Sequence, residues 1–192
     1  MSQDGRCEAD IKRRIGLTYA VFNKLANIWN CNRLAMGIKM QVYKAMVLPV
    51  LIYGSESWTM RKQDENRVLV AEMSWLRKIA GISRLQHIRN EEIRKITGNE
   101  ETAVDKIRTR RLRWFGHVSR MDNNRLPNLA LHTQVEGQRS TGRPRARWRD
   151  GVMEDIRRTG GNIAEALSSV KDREKWKTFV RPYRRNTADG RD

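Results

Sequence analysis

Residues 10–29 read DIKRRIGLTYAVFNKLANIW, and this stretch decides the fold class. Its apolar residues recur at steps of three and four, the spacing that places side chains on one face of an α-helix. A face this broad predicts contacts with more than one neighbouring element. Lys12 and Arg13 fall on the opposite, open side. The apolar positions are Ile11, Ile15, Tyr19, Phe22, Leu25, Ala26 and Trp29, widened by Leu17, Val21 and Ile28.

Two further helices follow in the first half of the chain. Residues 34–53 are apolar on nearly all sides toward their end, where Pro49 is expected to kink the helix or end its regular part. Residues 54–57, GSES, form a turn. Residues 63–80 form the third helix, and Gly81 is placed to cap its C-terminus. Together the three helices predict a compact bundle.

Glu72 is the unusual residue of the third helix, because it falls in the middle of the apolar face. A buried carboxylate needs a partner of opposite charge. Arg14, inside the apolar arc of the first helix, is one hypothesis for that partner. The equally weighted alternative is that this face is not fully buried and that Glu72 reaches water.

The middle of the chain predicts two more helices. Asn90 caps a short one that runs to Thr97 and is closed by Gly98. Thr102 and Asp105 have the spacing of a capping box and open a longer helix that ends near residue 118. The apolar positions of the longer helix are Val104, Ile107, Leu112, Trp114 and Phe115.

Residues 122–192 are less regular. Pro127 starts a single turn, and residues 135–142 form a polar loop. Pro144 suits the first turn of the next helix, whose apolar face is formed by Trp148, Val152 and Ile156. Short helices at 163–170 and 172–180 and a disordered tail beyond 183 complete the prediction. No stretch alternates long enough to indicate a strand, so the fold class is all-α: a helical bundle (1–81), connecting helices (82–121) and a basic C-terminal helical region (122–192).

The charge is large and concentrated. The 192 residues carry 39 Lys and Arg against 22 Asp and Glu, a formal net charge of +17. Residues 103–149 hold twelve basic and three acidic residues, which is just over half of the excess. A chain this basic repels itself unless a polyanion neutralises it, and a concentrated patch favours nucleic acid over an anionic membrane surface.

The helix of residues 103–118 supplies the first group of candidate contacts. Lys106, Arg110 and Arg113 fall on its polar side, where they could meet phosphates or form a solvated, ion-paired face. Arg108 and Arg111 fall inside its apolar arc, so they either snorkel, pair with a carboxylate or point into a groove.

The second group is Arg143, Arg145, Arg147 and Arg149, which alternate along an extended segment that could follow a phosphate backbone. Trp148 beside them could stack on a base, but its place in an i, i+4, i+8 stripe favours the core. Residues 141–145, TGRPR, also resemble an AT-hook, a segment that lies in the minor groove of A·T-rich DNA. A proline-started helix after a loop is the favoured alternative.

Several kinds of chemistry have no pattern to support them. The sequence has no clustered carboxylates for a two-metal site, no nucleophile motif and no glycine-rich phosphate loop. Cys7, Cys31 and the three histidines lack zinc-site spacing, and the cysteines are expected to be free core thiols. His117 is expected to cap a helix or lie in the core. The longest apolar run, 45–53, is short of the ~20 residues that a membrane span needs. We therefore expect no enzyme activity, no cofactor or metal, no small-molecule substrate and no membrane association.

An ordered series of motifs resembles the C-terminal part of non-LTR (LINE-type) endonuclease–reverse transcriptases, closest to the jockey, CR1 and RTE groups. The series covers residues 2 to 182, and its order is more specific than any single motif. The matching stretches are DGRC with DIKRRI (4–15), VLPVLIYGSESWT (47–59), the segment from EM to LRKIAGI (72–82), RNEEI (89–93), RLRWFGHV with RM (111–121), GRP with W (142–148) and DR with W (172–176).

The resemblance implies a thumb-like bundle, at about residues 8–80, that grips a template–primer duplex by its backbone. It implies a C-terminal region that contacts element RNA or target DNA. The family's catalytic aspartates lie in the palm, upstream of these motifs, so this chain is expected to be non-catalytic, nuclear or cytoplasmic, and able to meet upstream reverse-transcriptase domains in trans. Two alternatives stay open: a domesticated A·T-rich DNA-binding module that uses residues 142–149, and an inactive relic with apolar surface exposed around 47–53.

Overall fold

Every regular element is helical in residues 7–133, 147–160 and 162–180, which are the residues that the computed structural model describes. The all-α fold class is thus confirmed. The described chain divides into two compact units. The first contains residues 7–54 and 60–106, and the second contains 55–59 and the described residues from 107 onward. Each unit has its own core and is described by itself.

The first predicted helix is present with one interruption. Helix α1 spans Glu8–Lys24 and α2 spans Ala26–Trp29, and Leu25 between them leaves helical geometry with φ −95° and ψ 15°. Ile11, Phe22 and Trp29 are buried, as the periodicity predicts. Leu17, which was expected to widen the buried face, is exposed instead.

The stretch predicted as one helix over 34–53 is three consecutive segments. Helix α3 (Met36–Val42) passes into a π-helical turn (Tyr43–Val47), which passes into α4 (Leu48–Leu51). Pro49 is in the first turn of α4, a position that tolerates proline. Its missing N–H and its ring would conflict with an α-helical ladder that continued from α3 without interruption. A wider π turn just before it accommodates that conflict, so the interruption predicted at Pro49 is confirmed.

Helix α5, Lys62–Ala80, is the longest element of the first unit and packs against α1 and α6 (Asn90–Thr97). Gly81 ends α5 in the left-handed conformation with φ 69°, which an L side chain rarely adopts. The N–H of Ile82 donates to the carbonyl of Arg77 at 2.9 Å, which completes the cap that the sequence predicts. The core of this unit includes Tyr43, Trp75 and Ile93.

Glu72 is fully buried in this core, with 0 % of its surface exposed. Its carboxylate accepts hydrogen bonds from Arg94 Nη2 at 2.8 Å, Asn99 Nδ2 at 3.2 Å and the Ala103 backbone N–H at 3.0 Å. The hypothesis that Arg14 is the partner is therefore wrong. All three donors come from α6 and the segment after it, whose position no helical periodicity predicts.

Arg14 has a different environment. Its guanidinium lies 4.5 Å from the centroid of the Tyr53 ring and its Nε lies 3.9 Å from the carboxylate of Asp10. At an exposed site, the contact between a cation and the face of an aromatic ring contributes about 0.5–1 kcal/mol. Arg14 thus covers the end of α4 rather than neutralising a buried charge.

Helix α7, Ala103–Ser119, opens with the predicted capping box, in which the Asp105 N–H donates to the Thr102 hydroxyl at 3.0 Å and the Thr102 N–H to Asp105 at 3.1 Å. The cap of α6 differs from expectation, because Asn90 is its first residue and Arg89 precedes it as N-cap. The boundary between the two units falls between residues 106 and 107, inside α7. The sequence had placed boundaries after 81 and 121.

The second unit contains the rest of α7 and four shorter helices: α8 (Leu126–His132), α9 (Trp148–Arg158), α10 (Ile163–Ser169) and α11 (Arg173–Phe179). Pro127 is in the first turn of α8, and α9 begins after the position of Pro144. Pro144, the predicted loop at 135–142 and the tail beyond 183 lie outside the described residues. The core is formed by Leu112, Phe115, Val152, Ile156, Ala166, Val170, Trp176 and Val180.

Three smaller expectations have mixed outcomes. Neither Cys7 nor Cys31 is in a disulfide, as predicted, and both are half-buried rather than in the core. Most of the apolar run at 47–53 is buried, since Val47, Leu48, Leu51 and Ile52 are at most 6 % exposed. The expectation that an inactive relic would expose this face is therefore wrong for the described fold. Within the described residues, no helix has the length and apolar character to cross a membrane.

Candidate nucleic-acid interface

Two of the candidate arginines of α7 point into the second unit. The Nε and Nη2 atoms of Arg111 both lie 2.7 Å from Oδ2 of Asp155, and its Nη1 donates to the Trp58 carbonyl at 3.0 Å. Arg108 approaches the other oxygen of the same carboxylate, with its Nε 3.7 Å from Oδ1. Of the alternatives that the sequence left open for these two residues, pairing with a carboxylate is confirmed.

Burial raises the pKa of the Asp155 carboxyl, while the charges of Arg111 and then Arg108 oppose that rise. Arg111 is itself only 4 % exposed. A buried ion pair of this kind is costly to break, because removing one partner leaves the other charge without compensation. Arg111 therefore belongs to the core, and the half-buried Arg108 directs its guanidinium to the same carboxylate.

The outward face of α7 carries a second set of side chains. Arg110, Arg113, Trp114 and His117 have the spacing i, i+3, i+4 and i+7, so they lie on one side of the helix, and all four are exposed. Together with Glu56 they line a shallow cavity of about 270 Å³. Predicted candidates Arg110 and Arg113 are thus brought together, and an exposed aromatic ring lies with them.

The position of Trp114 corrects the sequence analysis, which assigned it to the apolar face. Its surface is 38 % exposed. The buried side of α7 is occupied by Leu112, Phe115 and the indole of Trp176, which lies where a side chain at position 116 would be. Only glycine at 116 permits that approach. Trp114 lies about 200° from position 116 around the helix, on the side of Arg110 and His117.

His117 was expected to cap a helix or lie in the core, and the structure places it outside the core, in the last turn of α7. It is exposed on α7, and its ring centroid is 5.5 Å from that of Trp114. The sequence signal for this surface was present in the spacing of residues 110, 113, 114 and 117. We missed it because a tryptophan in a short apolar pattern is more often buried than exposed.

The second cluster of arginines is described in part. Arg147 and Arg149 are exposed at the start of α9, and the Arg147 N–H donates to the Asp150 carboxylate at 2.8 Å. Trp148 between them is half-buried, and its indole N–H donates to the Glu56 carbonyl at 2.7 Å. Trp148 packs against the core of the second unit without being fully buried, so the expectation that it belongs to the core is confirmed in part. Arg143 and Arg145 lie outside the described residues.

The remaining candidates are in the first unit. Lys12 lies 2.9 Å from Glu8 on α1, and the neighbouring Arg13 is exposed. Lys106 forms an ion pair with Glu101. Because both lysines are already ion-paired, they fit the alternative of a solvated, ion-paired helix face better than that of a phosphate-binding site. In the described parts of the chain, no group of histidine, cysteine or carboxylate side chains has an arrangement that could hold a metal ion.

Comparison with known proteins gives one informative relationship. The chain is 30 % identical over 188 residues to an uncharacterized transposon-derived protein of Caenorhabditis elegans. The matched region covers 94 % of this chain and 66 % of that relative. The similarity supports a transposon origin for the chain. No known protein family matches the sequence, and no solved structure matches it.

Proposed function

We propose that this chain is a sequence-tolerant nucleic-acid-binding part of a protein derived from a non-LTR retrotransposon reverse transcriptase. It contacts RNA or DNA through phosphate groups and performs no catalysis itself. The transposon-derived relative supports the origin, and the ordered motifs from residue 4 to residue 176 favour the non-LTR class. The nucleus is the compartment in which such a protein would meet target DNA.

The binding proposal rests on the directions in which the arginine side chains of α7 point. Arg108 and Arg111 pair with buried Asp155, whereas Arg110 and Arg113 are exposed beside an aromatic ring and line one cavity. Guanidinium groups form bidentate contacts with phosphate and are the preferred cations for nucleic-acid recognition. Contacts of this kind fix position on a strand without reading its sequence.

The charge of the whole chain supports the same proposal. A formal net charge of +17 attracts any polyanion at long range and accelerates association at low salt. Binding through phosphates releases counterions, so affinity must fall steeply as salt rises. Upstream reverse-transcriptase domains, supplied in trans, are the protein partners that the motif series implies.

The first test is a fluorescence-anisotropy titration of the full chain against an RNA–DNA hybrid, a hairpin RNA and an A·T-rich DNA duplex, each over a salt series. We expect similar affinities for all three and a steep loss with salt. Arg113→Gln should weaken all three complexes by roughly threefold to tenfold at low salt, and should reduce the slope of log K against log salt by about one.

Arg157→Gln is the matched control, because Arg157 is an exposed arginine of α9 that pairs with Glu154 at 3.5 Å. It changes the net charge by the same amount and should leave the slope nearly unchanged. Equal effects of the two substitutions would contradict a specific role for the α7 face. A marked preference for the A·T-rich duplex would instead favour the DNA-binding module that uses residues 142–149.

A further inference from the structure

Trp114 differs from the other tryptophans of the chain in its exposure. The sequence has six tryptophans, and Trp114 is the one with more than a third of its surface open. A large ring on the surface of a charged helix is unusual, because burial of such a ring is strongly favourable. The others are Trp29, Trp58, Trp75 and Trp176, each at most 2 % exposed, and the half-buried Trp148.

The surroundings of this ring are cationic. Arg110 and Arg113 lie one turn and one residue before Trp114 in α7, and His117 lies one turn after it. An apolar protein segment docked here would have to desolvate both guanidinium groups, at a cost that apolar contact does not offset. A ligand that combines a flat π surface with adjacent negative charge avoids that cost. A nucleotide has both.

We propose that the cavity lined by Glu56, Arg110, Arg113, Trp114 and His117 binds an unpaired nucleotide of single-stranded nucleic acid. The base stacks on the indole of Trp114, and the phosphates of the same strand pair with Arg110 and Arg113. This inference rests on the proposed function and adds the ligand class. Bases inside a duplex have their faces covered by neighbours, so only unpaired bases can stack on the ring.

Glu56 sets the orientation of the strand in this site. Its carboxylate repels phosphate, so the backbone lies toward the arginines and the base toward Glu56. A carboxylate accepts a hydrogen bond from an exocyclic amino group, which adenine and cytosine have and uracil lacks. Adenine also stacks more strongly than uracil because its ring system is larger. The site should therefore favour oligo(A) over oligo(U).

The test compares Trp114→Leu with the wild-type chain for binding of single-stranded oligo(A), oligo(U) and a blunt-ended, fully paired RNA duplex. Loss of stacking should weaken oligo(A) binding by roughly 5-fold to 150-fold, the equivalent of about 1–3 kcal/mol per stacked base. Duplex affinity should change less than about twofold, since phosphate contacts are kept. The salt slope should be the same for variant and wild type.

Tyr53→Leu is the matched control. Tyr53 is an exposed aromatic residue with an arginine over its ring, but it lies in the first unit, at the end of α4. Its substitution should leave all three affinities unchanged. If it weakens oligo(A) as much as Trp114→Leu does, stacking is not confined to the α7 face and the inference is overturned.

Intrinsic fluorescence gives a second readout that does not depend on leucine being tolerated at position 114. Stacking of adenine should quench the emission of Trp114, and Trp114→Phe should bind oligo(A) but lose most of the quenching. Quenching that persists in Trp114→Phe would overturn the inference that the base stacks on Trp114. Far-UV circular dichroism confirms that each variant keeps its helices.

The outcomes separate the two proposals. If the wild-type chain binds none of the nucleic acids at low salt, the proposed function fails and the site fails with it. If the wild type binds all of them and Trp114→Leu weakens none, or weakens the RNA duplex and oligo(A) equally, the proposed function stands and the single-strand site is wrong.

Discussion

Arg110 and Arg111 are adjacent in α7, yet one is exposed and the other is almost fully buried against Asp155. One step along a helix turns a side chain by about 100°, so neighbouring residues of the same type can have opposite roles. The +9 charge of residues 103–149 therefore overstates the charge that this segment offers to a ligand. Part of that charge belongs to Arg108 and Arg111, whose guanidinium groups compensate the buried carboxylate of Asp155 inside the second unit.

The adjacent carboxylates Glu154 and Asp155 allow an exposed ion pair and a buried ion pair to be compared directly. Asp155→Ala should lower the free energy of unfolding by about 3–5 kcal/mol, because Arg111 is left buried without its partner. Glu154→Ala removes an exposed carboxylate that pairs with Arg157 and Arg158, so it should cost less than about 1 kcal/mol. Urea denaturation followed by circular dichroism measures both. Losses of similar size would mean that the Arg111 pair is no more important than a surface contact.

At the scale of the element, the packing of α7 against α11 depends on one missing side chain. A Cβ at position 116 would lie 2.0 Å from the indole nitrogen of Trp176, so only glycine permits the contact. That nitrogen donates to the Leu112 carbonyl at 3.1 Å. Glycine inside a helix ordinarily costs about 1 kcal/mol relative to alanine, and the buried indole offsets that cost.

Alanine scanning of two helical glycines tests this packing. Gly116→Ala should destabilise the chain by about 1–3 kcal/mol or more, because the indole must move. Gly16→Ala in α1 is the control, since its Cβ would meet no atom within 4 Å, and it should stabilise by about 0.4–1 kcal/mol. Chemical denaturation gives both values. A stabilising effect at 116 would show that Trp176 does not pack against α7 as described.

For the molecule as a whole, charge has opposite effects on folding and on binding. The formal charge of +17 makes the free chain repel itself, and added salt relieves that repulsion. The same salt weakens contacts to phosphate by restoring counterions to the nucleic acid.

Raising sodium chloride from about 50 mM to about 500 mM shortens the screening length about threefold. We expect the melting temperature of the free chain to rise by about 2–4 °C, equivalent to about 1 kcal/mol, while RNA affinity falls steeply. Differential scanning fluorimetry and anisotropy, done in the same buffers, measure the two responses. A melting temperature that falls with salt would mean that the screening of exposed ion pairs such as Arg158–Glu154 outweighs the relief of net repulsion.

The sequence by itself determined the helices, their order and most of their ends. Periodicity and caps are local properties: the repeat in residues 10–29, Gly81 after α5, and the Thr102–Asp105 box each depend on a few adjacent residues. The sequence also identified Arg110 and Arg113 as outward cations of α7, because their angular position follows from helix geometry alone.

The tertiary structure decided which polar residues are partners and which ring packs beside Gly116. Glu72 is bound by Arg94, Asn99 and Ala103 rather than by Arg14, because the segment after α6 folds back over α5. Trp176, far along the chain, occupies the space beside Gly116, and no periodicity within α7 predicts that contact. Periodicity fixes the direction of each side chain, but what lies in that direction depends on residues distant in sequence.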